Sequence, residues 1–233
     1  MKYVILIGDG MADYPLPERG NKTALQIAST PNLDFIATAG ICGFVQTIPE
    51  GMNAGSDIAI LSILGYDPAR YYTGRGPIEA MGMHIPLDVD DIAFRCNLIS
   101  EHGGRIVDYS GGHIPTEEAS VLIKALTEEL SAEGLHKGWE LTFYPGVSYR
   151  NVLVIKSKSH EYEFSEEREI GCPPPHDVIG ARLEEKLPKE AILREIMLTS
   201  KRVLEGHEVN LKRMARNERK ANMVWLWSGG KKP

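Results

Sequence analysis

An acidic side chain near the start of the chain stands where a divalent cation could bind. Asp9 lies between Gly8 and Gly10 and directly follows the apolar run 2–7. In open α/β sheets, ligands bind beyond the carboxyl ends of strands, and a carboxylate with small neighbours at such a place suits a hard cation. Asp9 is therefore a candidate metal ligand, and the alternative is that it caps a turn.

A serine follows the glycine-containing loop 53–55 and precedes an apolar stretch that predicts a helix. A hydroxyl at a helix N-terminus lies near free backbone N–H groups and the positive end of the helix dipole, which favour an alkoxide and an arriving phosphate. A metal bound to the oxygen would strengthen both effects. Ser56 is therefore a candidate nucleophile and, with Asp9, a candidate metal ligand. The alternative is an ordinary N-cap serine.

The elements expected around these two side chains belong to an α/β sheet. The continuous apolar run 2–7 predicts a buried parallel strand, and the run 42–48 predicts a second strand. A Thr-Pro start and a glycine end predict a helix over 31–40, and another helix is predicted over 56–64. This β-α-β-loop-α order predicts an α/β core over residues 1–72.

From residue 73 the pattern changes to short strands around one amphipathic helix. Strands are predicted at 92–99, 106–109, 141–144 and 151–156, and helices at 116–134 and over most of 177–221. This order predicts a compact α+β domain inserted over 73–221. The run 223–227 is apolar and β-prone, and the chain then finishes in Ser-Gly-Gly-Lys-Lys-Pro. We expect 222–233 to form a hinge that returns to the core.

Composition restricts the partners and the compartment. The net charge of −6 provides no general basic field, which argues against nucleic acid as the main partner. No apolar run is long enough to span a bilayer, so no membrane partner is expected. Three widely spaced cysteines form no CxxC pair and no disulfide framework, and they predict free thiols in the cytoplasm.

Seven short motifs, in order along the chain, resemble those of the cofactor-independent phosphoglycerate mutases of archaeal type, within the alkaline phosphatase superfamily. They are IGDGM at 7–11, NAGSD at 53–57, YTGRGP at 72–77, DYSGGH at 108–113, SYR at 148–150, PPHD at 174–177 and WLW at 225–227. The resemblance covers nearly the whole chain and implies the N-terminal part of such an enzyme. It implies an incomplete alkaline-phosphatase-like core with an inserted α+β substrate-binding domain.

The same resemblance implies a reaction and its cofactors. Ser56 would take the phosphoryl group from one hydroxyl of 3-phosphoglycerate and return it to the other to give 2-phosphoglycerate, a step of glycolysis and gluconeogenesis. Asp9 would bind one of two divalent metal ions, manganese or magnesium, with the Ser56 oxygen as a fellow ligand. No 2,3-bisphosphoglycerate would be needed. Phosphoryl transfer depends more on charge neutralisation and in-line positioning than on proton chemistry, which agrees with this assignment.

Six residues are candidates for binding a small phosphorylated carboxylic acid. An arginine fork suits a carboxylate or phosphate, and a histidine can bond a phosphate oxygen or move a proton. The candidates are Arg75 between two glycines, His113 after two glycines, Arg150 at a strand start, His176 and Asp177 after three prolines, and Lys231 at the proposed hinge. For each, a solvated or purely structural side chain is the alternative.

Three readings stay open from the sequence. The first is the mutase, present here in part and as an isomerase. The second is another phosphotransferase or hydrolase of the superfamily, such as a homoserine kinase-like enzyme. The third is a module that binds substrate or a partner without catalysis. The family continues for well over a hundred further residues that hold its remaining metal ligands, so we expect this polypeptide alone to bind little metal and not to turn over.

Overall fold

The chain separates into two compact units, Met1–Arg70 and Tyr71–Pro233, in a computed structural model that describes residues 2–132, 138–157 and 170–233. The boundary at residue 70 lies close to the end at residue 72 that was predicted for the core. No helix within these described ranges is both long enough and apolar enough to cross a membrane.

The first unit is built from short helices. They are α1 (Ala24–Ile27), α2 (Pro31–Ala39) and α3 (Ser56–Ile63), followed by α4 (Pro68–Tyr71) across the boundary. The α2 helix begins directly after Thr30 and ends before Gly40. The two helices predicted in this unit, over 31–40 and 56–64, are therefore confirmed.

The strands predicted at 2–7 and 42–48 are wrong. In the described residues up to 70, the backbone carries one isolated bridge, between Leu16 and Lys22, and no strand. Most apolar side chains of the two runs are exposed, with Val4 at 90% and Phe44 at 109%, and Ile48 is half-buried. A strand exists only where a neighbour pairs its N–H and C=O groups, and no described residue pairs with either run.

Among its described residues, the second unit contains a five-stranded sheet and four α-helices that lie wholly within it. Their bounds are α5 (Arg75–Gly82), β1 (Ile92–His102), β2 (Arg105–Asp108), α6 (Thr116–Ala132), β3 (Trp139–Tyr144), β4 (Arg150–Ser157), α7 (Ala191–Leu204), α8 (Glu208–Ala215) and β5 (Met223–Lys231). All four strands predicted between 92 and 156 are confirmed, as is the amphipathic helix. Residues 133 and 134, its predicted end, lie outside the described part.

Every strand pairing in the sheet is antiparallel, and β1 is its central strand. β4 and β5 flank β1, β3 lies outside β4, and β2 pairs with the last residues of β1. The chain is therefore a mixed α/β protein whose sheet is antiparallel. Because the strands follow one another with α6 and α7 between them, the helices can cover one face of the sheet.

Side chains of β1 alternate between two faces, as the pleat requires. Phe94, Cys96 and Leu98 are fully buried in the main core with residues of α6, α7 and β5. Ala93 lies on the opposite face, in a smaller core with Ala80 of α5 and with residues of β4. The next odd-numbered residues of β1 therefore point to the α5 side of the sheet.

Most of the segment 222–233, for which a hinge was expected, is strand β5 beside β1. Residues 223–230 are all buried. An added Cβ on Gly229 would lie 2.2 Å from the Phe94 ring, and one on Gly230 would lie 1.6 Å from the Thr73 carbonyl oxygen. The two glycines thus permit close packing of the strand, where the sequence suggested flexibility.

The three cysteines are free thiols, as predicted, with Cys42 exposed and the other two buried. Burial raises the pKa of the Cys96 and Cys172 thiols well above the ordinary range. These two side chains therefore act as small apolar groups of the core.

Candidate active site

The first unit brings the predicted nucleophile and the predicted metal ligand together. Ser56 Oγ donates a hydrogen bond to Asp9 Oδ2 at 3.0 Å, although the residues are 47 positions apart. Gly55 occupies the N-cap position of α3, and no side chain caps this helix. Ser56 is therefore the first helical residue, and its exposed hydroxyl is directed to a carboxylate, unlike that of an ordinary N-cap serine.

The described residues do not complete a site for a divalent ion. Across 2–132, 138–157 and 170–233, no three His, Cys, Asp or Glu side chains form a group that could hold a metal. Asp9 and Ser56 supply two oxygen-bearing groups, whereas a hard cation takes about six oxygen ligands. The pair fits part of a metal site and is not sufficient by itself.

The second unit gathers arginines on the α5 face of its sheet. Arg95 of β1 lies directly opposite Trp227 of β5, and Asn97 lies opposite Arg150 of β4. Residues that are paired across antiparallel strands project to the same face, so these four side chains share one surface. Trp227 Nε1 donates a hydrogen bond to Asn97 Oδ1 at 3.0 Å.

A third arginine reaches this surface from the start of α5. The Arg75 backbone N–H donates to Ser228 Oγ at 2.9 Å, which ties the helix start to β5. A Cβ on Gly76 would lie 2.2 Å from the Ala93 carbonyl oxygen, and one on Gly74 would lie 2.8 Å from the Ser228 carbonyl oxygen. Only glycine allows so close an approach, and this explains the Gly-Arg-Gly spacing.

The guanidinium groups of two of these arginines lie near one aromatic ring. The Arg75 guanidinium carbon is 5.5 Å from the centroid of the Trp227 ring, and that of Arg95 is 5.0 Å from it. The guanidinium carbon of Arg150 is 5.2 Å from the Tyr149 ring, and its Nη2 donates to the Tyr149 hydroxyl at 3.1 Å. We call Arg75, Arg95 and Arg150 the arginine cluster.

Two histidines border the arginine cluster through a chain of edge-to-face rings. The Tyr109 ring lies 6.4 Å from His113, 6.2 Å from His176 and 5.7 Å from Tyr149. The His176 ring lies 6.0 Å from that of Trp227. The arginines and both imidazoles therefore form one continuous positively charged and aromatic surface.

The loop that carries His113 is fixed by hydrogen bonds. Asp108 Oδ1 accepts hydrogen bonds from the Ser110 backbone N–H and hydroxyl, and Asp108 Oδ2 accepts one from Arg219. Although burial opposes it, these contacts hold the pKa of the Asp108 carboxyl below its ordinary value. Ser110 Oγ in turn accepts a hydrogen bond from the His113 N–H at 3.0 Å, so the loop is rigidly connected to β2.

Arg95 is the most constrained cation of the arginine cluster. Its pKa is lowered by burial, and Arg75 and Arg150 lower it further, while Glu79 acts in the opposite direction. Arg95 Nε lies 2.6 Å from Glu79 Oε2, yet its N–H has no well-aligned acceptor, so the contact is an ion pair and not a good hydrogen bond. The three guanidinium groups thus create a positive potential that suits a multiply charged anion.

Four of the six predicted substrate residues meet at this surface: Arg75, His113, Arg150 and His176. Asp177 lies beside His176, with its Oδ1 3.7 Å from His176 Nε2. Lys231 does not join them, because it pairs with Ile92 at the start of β1 and its Nζ lies 3.5 Å from Asp90.

The sequence reasoning missed Arg95, Asn97, Tyr109, Tyr149 and Trp227. An arginine inside the apolar run of β1 was the available signal, because buried charges are rare unless they are paired. Tyr109, Tyr149 and Trp227 each lie inside a motif that the sequence analysis quoted. What no local pattern could give was the strand register that brings them together.

Residues 37–210 match the sequence model of the family described as 2,3-bisphosphoglycerate-independent phosphoglycerate mutase. The protein of that description, number 2, from Methanothermobacter thermautotrophicus is 52% identical over 237 residues, which is 100% of this chain and 55% of that protein. Its counterpart from Methanosarcina barkeri is 50% identical over 236 residues, with 100% and 56% covered. The chain thus spans about half the length of the curated relatives it matches.

Solved structures show the same likeness. The cofactor-independent phosphoglycerate mutase from Thermoplasma acidophilum is similar with a TM-score of 0.56 and 28% identity, over 96% of this chain and 58% of that one. A protein from Pyrococcus horikoshii is similar with a TM-score of 0.60 and 29% identity, over 96% and 49%.

Proposed function

Because this chain belongs to the family of 2,3-bisphosphoglycerate-independent phosphoglycerate mutases, we propose that it supplies the nucleophile and the substrate-binding residues for interconverting 3-phosphoglycerate and 2-phosphoglycerate. The enzyme is then an isomerase of glycolysis and gluconeogenesis that needs no 2,3-bisphosphoglycerate. The activity belongs to the whole enzyme, and this chain spans about half the length of its relatives. The observation that carries the proposal is the hydrogen bond from the Ser56 hydroxyl to the Asp9 carboxylate.

Ser56 is the proposed phosphoryl acceptor. As its oxygen attacks phosphorus, the hydroxyl proton passes along the hydrogen bond to Asp9 Oδ2. The bond between phosphorus and the substrate oxygen breaks, and the freed oxygen takes up a proton in exchange to become a hydroxyl of glycerate. The phosphoserine then transfers the phosphoryl group to the other hydroxyl of glycerate, which restores Ser56. The N-terminus of α3 stabilises negative charge at this oxygen in both directions.

The arginine cluster is the proposed holder of the substrate. Phosphoglycerate carries a carboxylate and a phosphate, and both groups match the two-pronged donor geometry of a guanidinium. His113 and His176 border the cluster and can donate hydrogen bonds to phosphate oxygens or accept a hydroxyl proton as the two oxygens exchange roles. The positive surface also favours the arrival of a trianion.

The finer features expected from the family are part of the proposal. Residues 1–70 would belong to an alkaline-phosphatase-like core, and the sheet of 71–233 would form the inserted substrate-binding domain. Asp9 and Ser56 would be part of the ligand set for two manganese or magnesium ions, which supply charge neutralisation when bound. Two such groups alone hold a cation weakly, so we expect this chain by itself not to turn over. The substrate and the free thiols favour a cytoplasmic location.

The test uses a mutase of full family length that carries this sequence. Ser56→Ala should lower turnover in an enolase-coupled assay by more than about a thousandfold and should abolish phosphoserine in the peptide that contains residue 56. The free energy of unfolding should fall by at most about 1 kcal/mol, because the hydroxyl does not cap α3. Ser62→Ala, in the same helix, is the matched control and should change neither reading.

Three results would contradict parts of the proposal. Unchanged turnover of the Ser56→Ala enzyme would end the assignment of the nucleophile. Release of inorganic phosphate without exchange between the two phosphoglycerates would favour a hydrolase of the same superfamily. Strong formation of 2-phosphoglycerate by this chain alone, with Mn²⁺, would refute the expected dependence on further ligands.

A further inference from the structure

Trp227 contacts two of the three guanidinium groups of the arginine cluster and one of the two bordering histidines. Its ring lies within 5.5 Å of the Arg75 and Arg95 guanidinium carbons, and the His176 ring packs edge-on against it at 6.0 Å. These partners come from three separate elements: the start of α5, strand β1 and the short 3-10 helix Pro175–Val178. Trp227 is 3% exposed, so its indole is a buried and fixed part of the sheet.

The orientation of the indole is set by a second contact. Its Nε1–H donates to Asn97 Oδ1 at 3.0 Å, and Asn97 Nδ2 donates to the Tyr109 carbonyl oxygen at 3.2 Å. Tyr109 is the ring that touches both histidines. One hydrogen-bonded path therefore connects the plane of the indole to the loop that carries His113.

Two neighbouring guanidinium groups repel each other before an anion arrives. Burial lowers the pKa of Arg95, and Arg75 and Arg150 lower it further, which is the direction that such repulsion produces. The electron-rich face of an indole attracts both cations and restricts the rotamers of their long side chains. Ordering the donors in advance reduces the entropy that binding would otherwise cost.

We propose that Trp227 is a positioning residue: its indole, oriented by Asn97, holds Arg75 and Arg95 side by side as a ready-made receptor for the anionic groups of the substrate. Trp227 itself need not touch the substrate. The proposal rests on the proposed function for the identity of the ligand. The positioning role of Trp227, however, can be tested with any small phosphorylated anion.

The first experiment measures binding to the full chain by calorimetry, with 3-phosphoglycerate and with inorganic phosphate as the probes. Trp227→Leu should weaken 3-phosphoglycerate binding about tenfold, because the aromatic face is lost. Trp227→Phe keeps an aromatic face and should bind within about threefold of the wild type. Trp139→Phe is the control: this indole lies on β3 opposite Ser157, at the other end of β4 from Arg150, and the change should leave binding unchanged.

The second experiment needs no ligand. Nuclear magnetic resonance of the arginine Nε–Hε groups should show Arg75 and Arg95 shifted by the indole ring current. Trp227→Leu should move both signals toward those of free arginine, while the Arg150 signal, set by Tyr149, should stay in place. A loss of general stability would not move two selected signals in this way. If Trp227→Leu does not fold, Asn97→Ala replaces it, with an expected loss of binding of about threefold.

The outcomes separate the two ideas. Wild-type affinity and unmoved arginine signals in folded Trp227→Leu, or in Asn97→Ala where that variant replaces it, would overturn the positioning role and leave the proposed function intact. Binding of inorganic phosphate but not 3-phosphoglycerate, with the same dependence on Trp227, would contradict the proposed substrate and support the positioning role of Trp227. Failure of the wild type to bind either anion would contradict both.

Discussion

At the scale of single residues, hydroxyl groups near helix starts have different partners in this chain. Thr23 forms a true capping box, in which its hydroxyl accepts from the Gln26 N–H and the Gln26 side chain accepts from the Thr23 N–H. The Ser56 hydroxyl instead donates to Asp9 and caps nothing. A serine that does not stabilise its own helix is available for chemistry, and this contrast supports the proposed nucleophile.

Charge at single residues also determines how stability depends on pH. Glu118 accepts hydrogen bonds from Arg213 Nη1 at 2.8 Å and from Arg216 Nη2 at 2.7 Å, and the Arg213 side chain is 2% exposed. Burial works against the shift, but these two arginines hold the pKa of the Glu118 carboxyl below its ordinary value. Because the pKa of Glu118 is lower in the folded than in the unfolded state, its ionised form stabilises the fold at pH values above the unfolded-state pKa of about 4.3. This stabilisation is lost as the pH falls through the folded-state pKa.

We therefore expect Glu118→Gln to lower the free energy of unfolding by about 2 kcal/mol at pH 7 and by much less near pH 3. Urea unfolding followed by tryptophan fluorescence measures this, because Trp139, Trp225 and Trp227 all lie in the second unit. Glu128→Gln, which removes an exposed partner of Lys124 at 3.9 Å, should change little at either pH. An equal loss for Glu118→Gln at both pH values would rule out the ionic origin.

At the scale of elements, the position of Arg75 depends on how closely α5 approaches the sheet. The helix begins at Arg75, and the backbone of Gly76 lies against that of Ala93 and Phe94 in β1. A Cβ at Gly76 would stand 2.2 Å from the Ala93 carbonyl oxygen and 2.8 Å from the Phe94 Cα. These are backbone atoms of the central strand, so the helix and not the strand would have to move.

Gly76→Ala should accordingly destabilise the second unit by about 1–3 kcal/mol and weaken phosphoglycerate binding, since Arg75 would be displaced. Gly82→Ala lies in the same helix with no atom within 4 Å of the added Cβ. That variant should be neutral or stabilising by up to about 1 kcal/mol. Denaturant unfolding and calorimetry check both variants, and a Gly76→Ala protein as stable as Gly82→Ala would refute the steric argument.

At the scale of the whole molecule, the two units differ in how much apolar surface they bury. Both hydrophobic cores consist of described residues between 80 and 227, within Tyr71–Pro233. In the first unit, Ile58 is buried, but large apolar side chains such as Tyr3, Leu6 and Phe44 are more than 80% exposed. Apolar burial drives cooperative folding, so the second unit has the resources of an independent domain.

Residues 71–233 expressed alone should therefore unfold in one cooperative transition, with a midpoint close to that of the same unit in the whole chain. Residues 1–70 expressed alone should show no such transition. Differential scanning calorimetry of the two fragments and of the chain provides the measurement. A gradual loss of structure in 71–233 would show that its sheet depends on contacts outside its own cores.

The sequence by itself determined the features that depend on near neighbours. The helix starts at Pro31 and Ser56, the amphipathic helix and the short strands of the second unit follow from caps, turns and apolar periodicity, which act over a few residues. The motifs likewise marked Asp9, Ser56 and four of the residues that meet at the arginine cluster.

Only the tertiary structure decided which residues meet across long separations. The apolar runs 2–7 and 42–48 lack a described strand partner, while 223–231, within the segment 222–233 for which a hinge was expected, forms a strand because β1 pairs with it. Arg95 and Trp227 share one surface through a register of strands more than a hundred residues apart. Strand pairing and the face that a side chain occupies are set by the partner strand, and a local pattern carries no information about that partner.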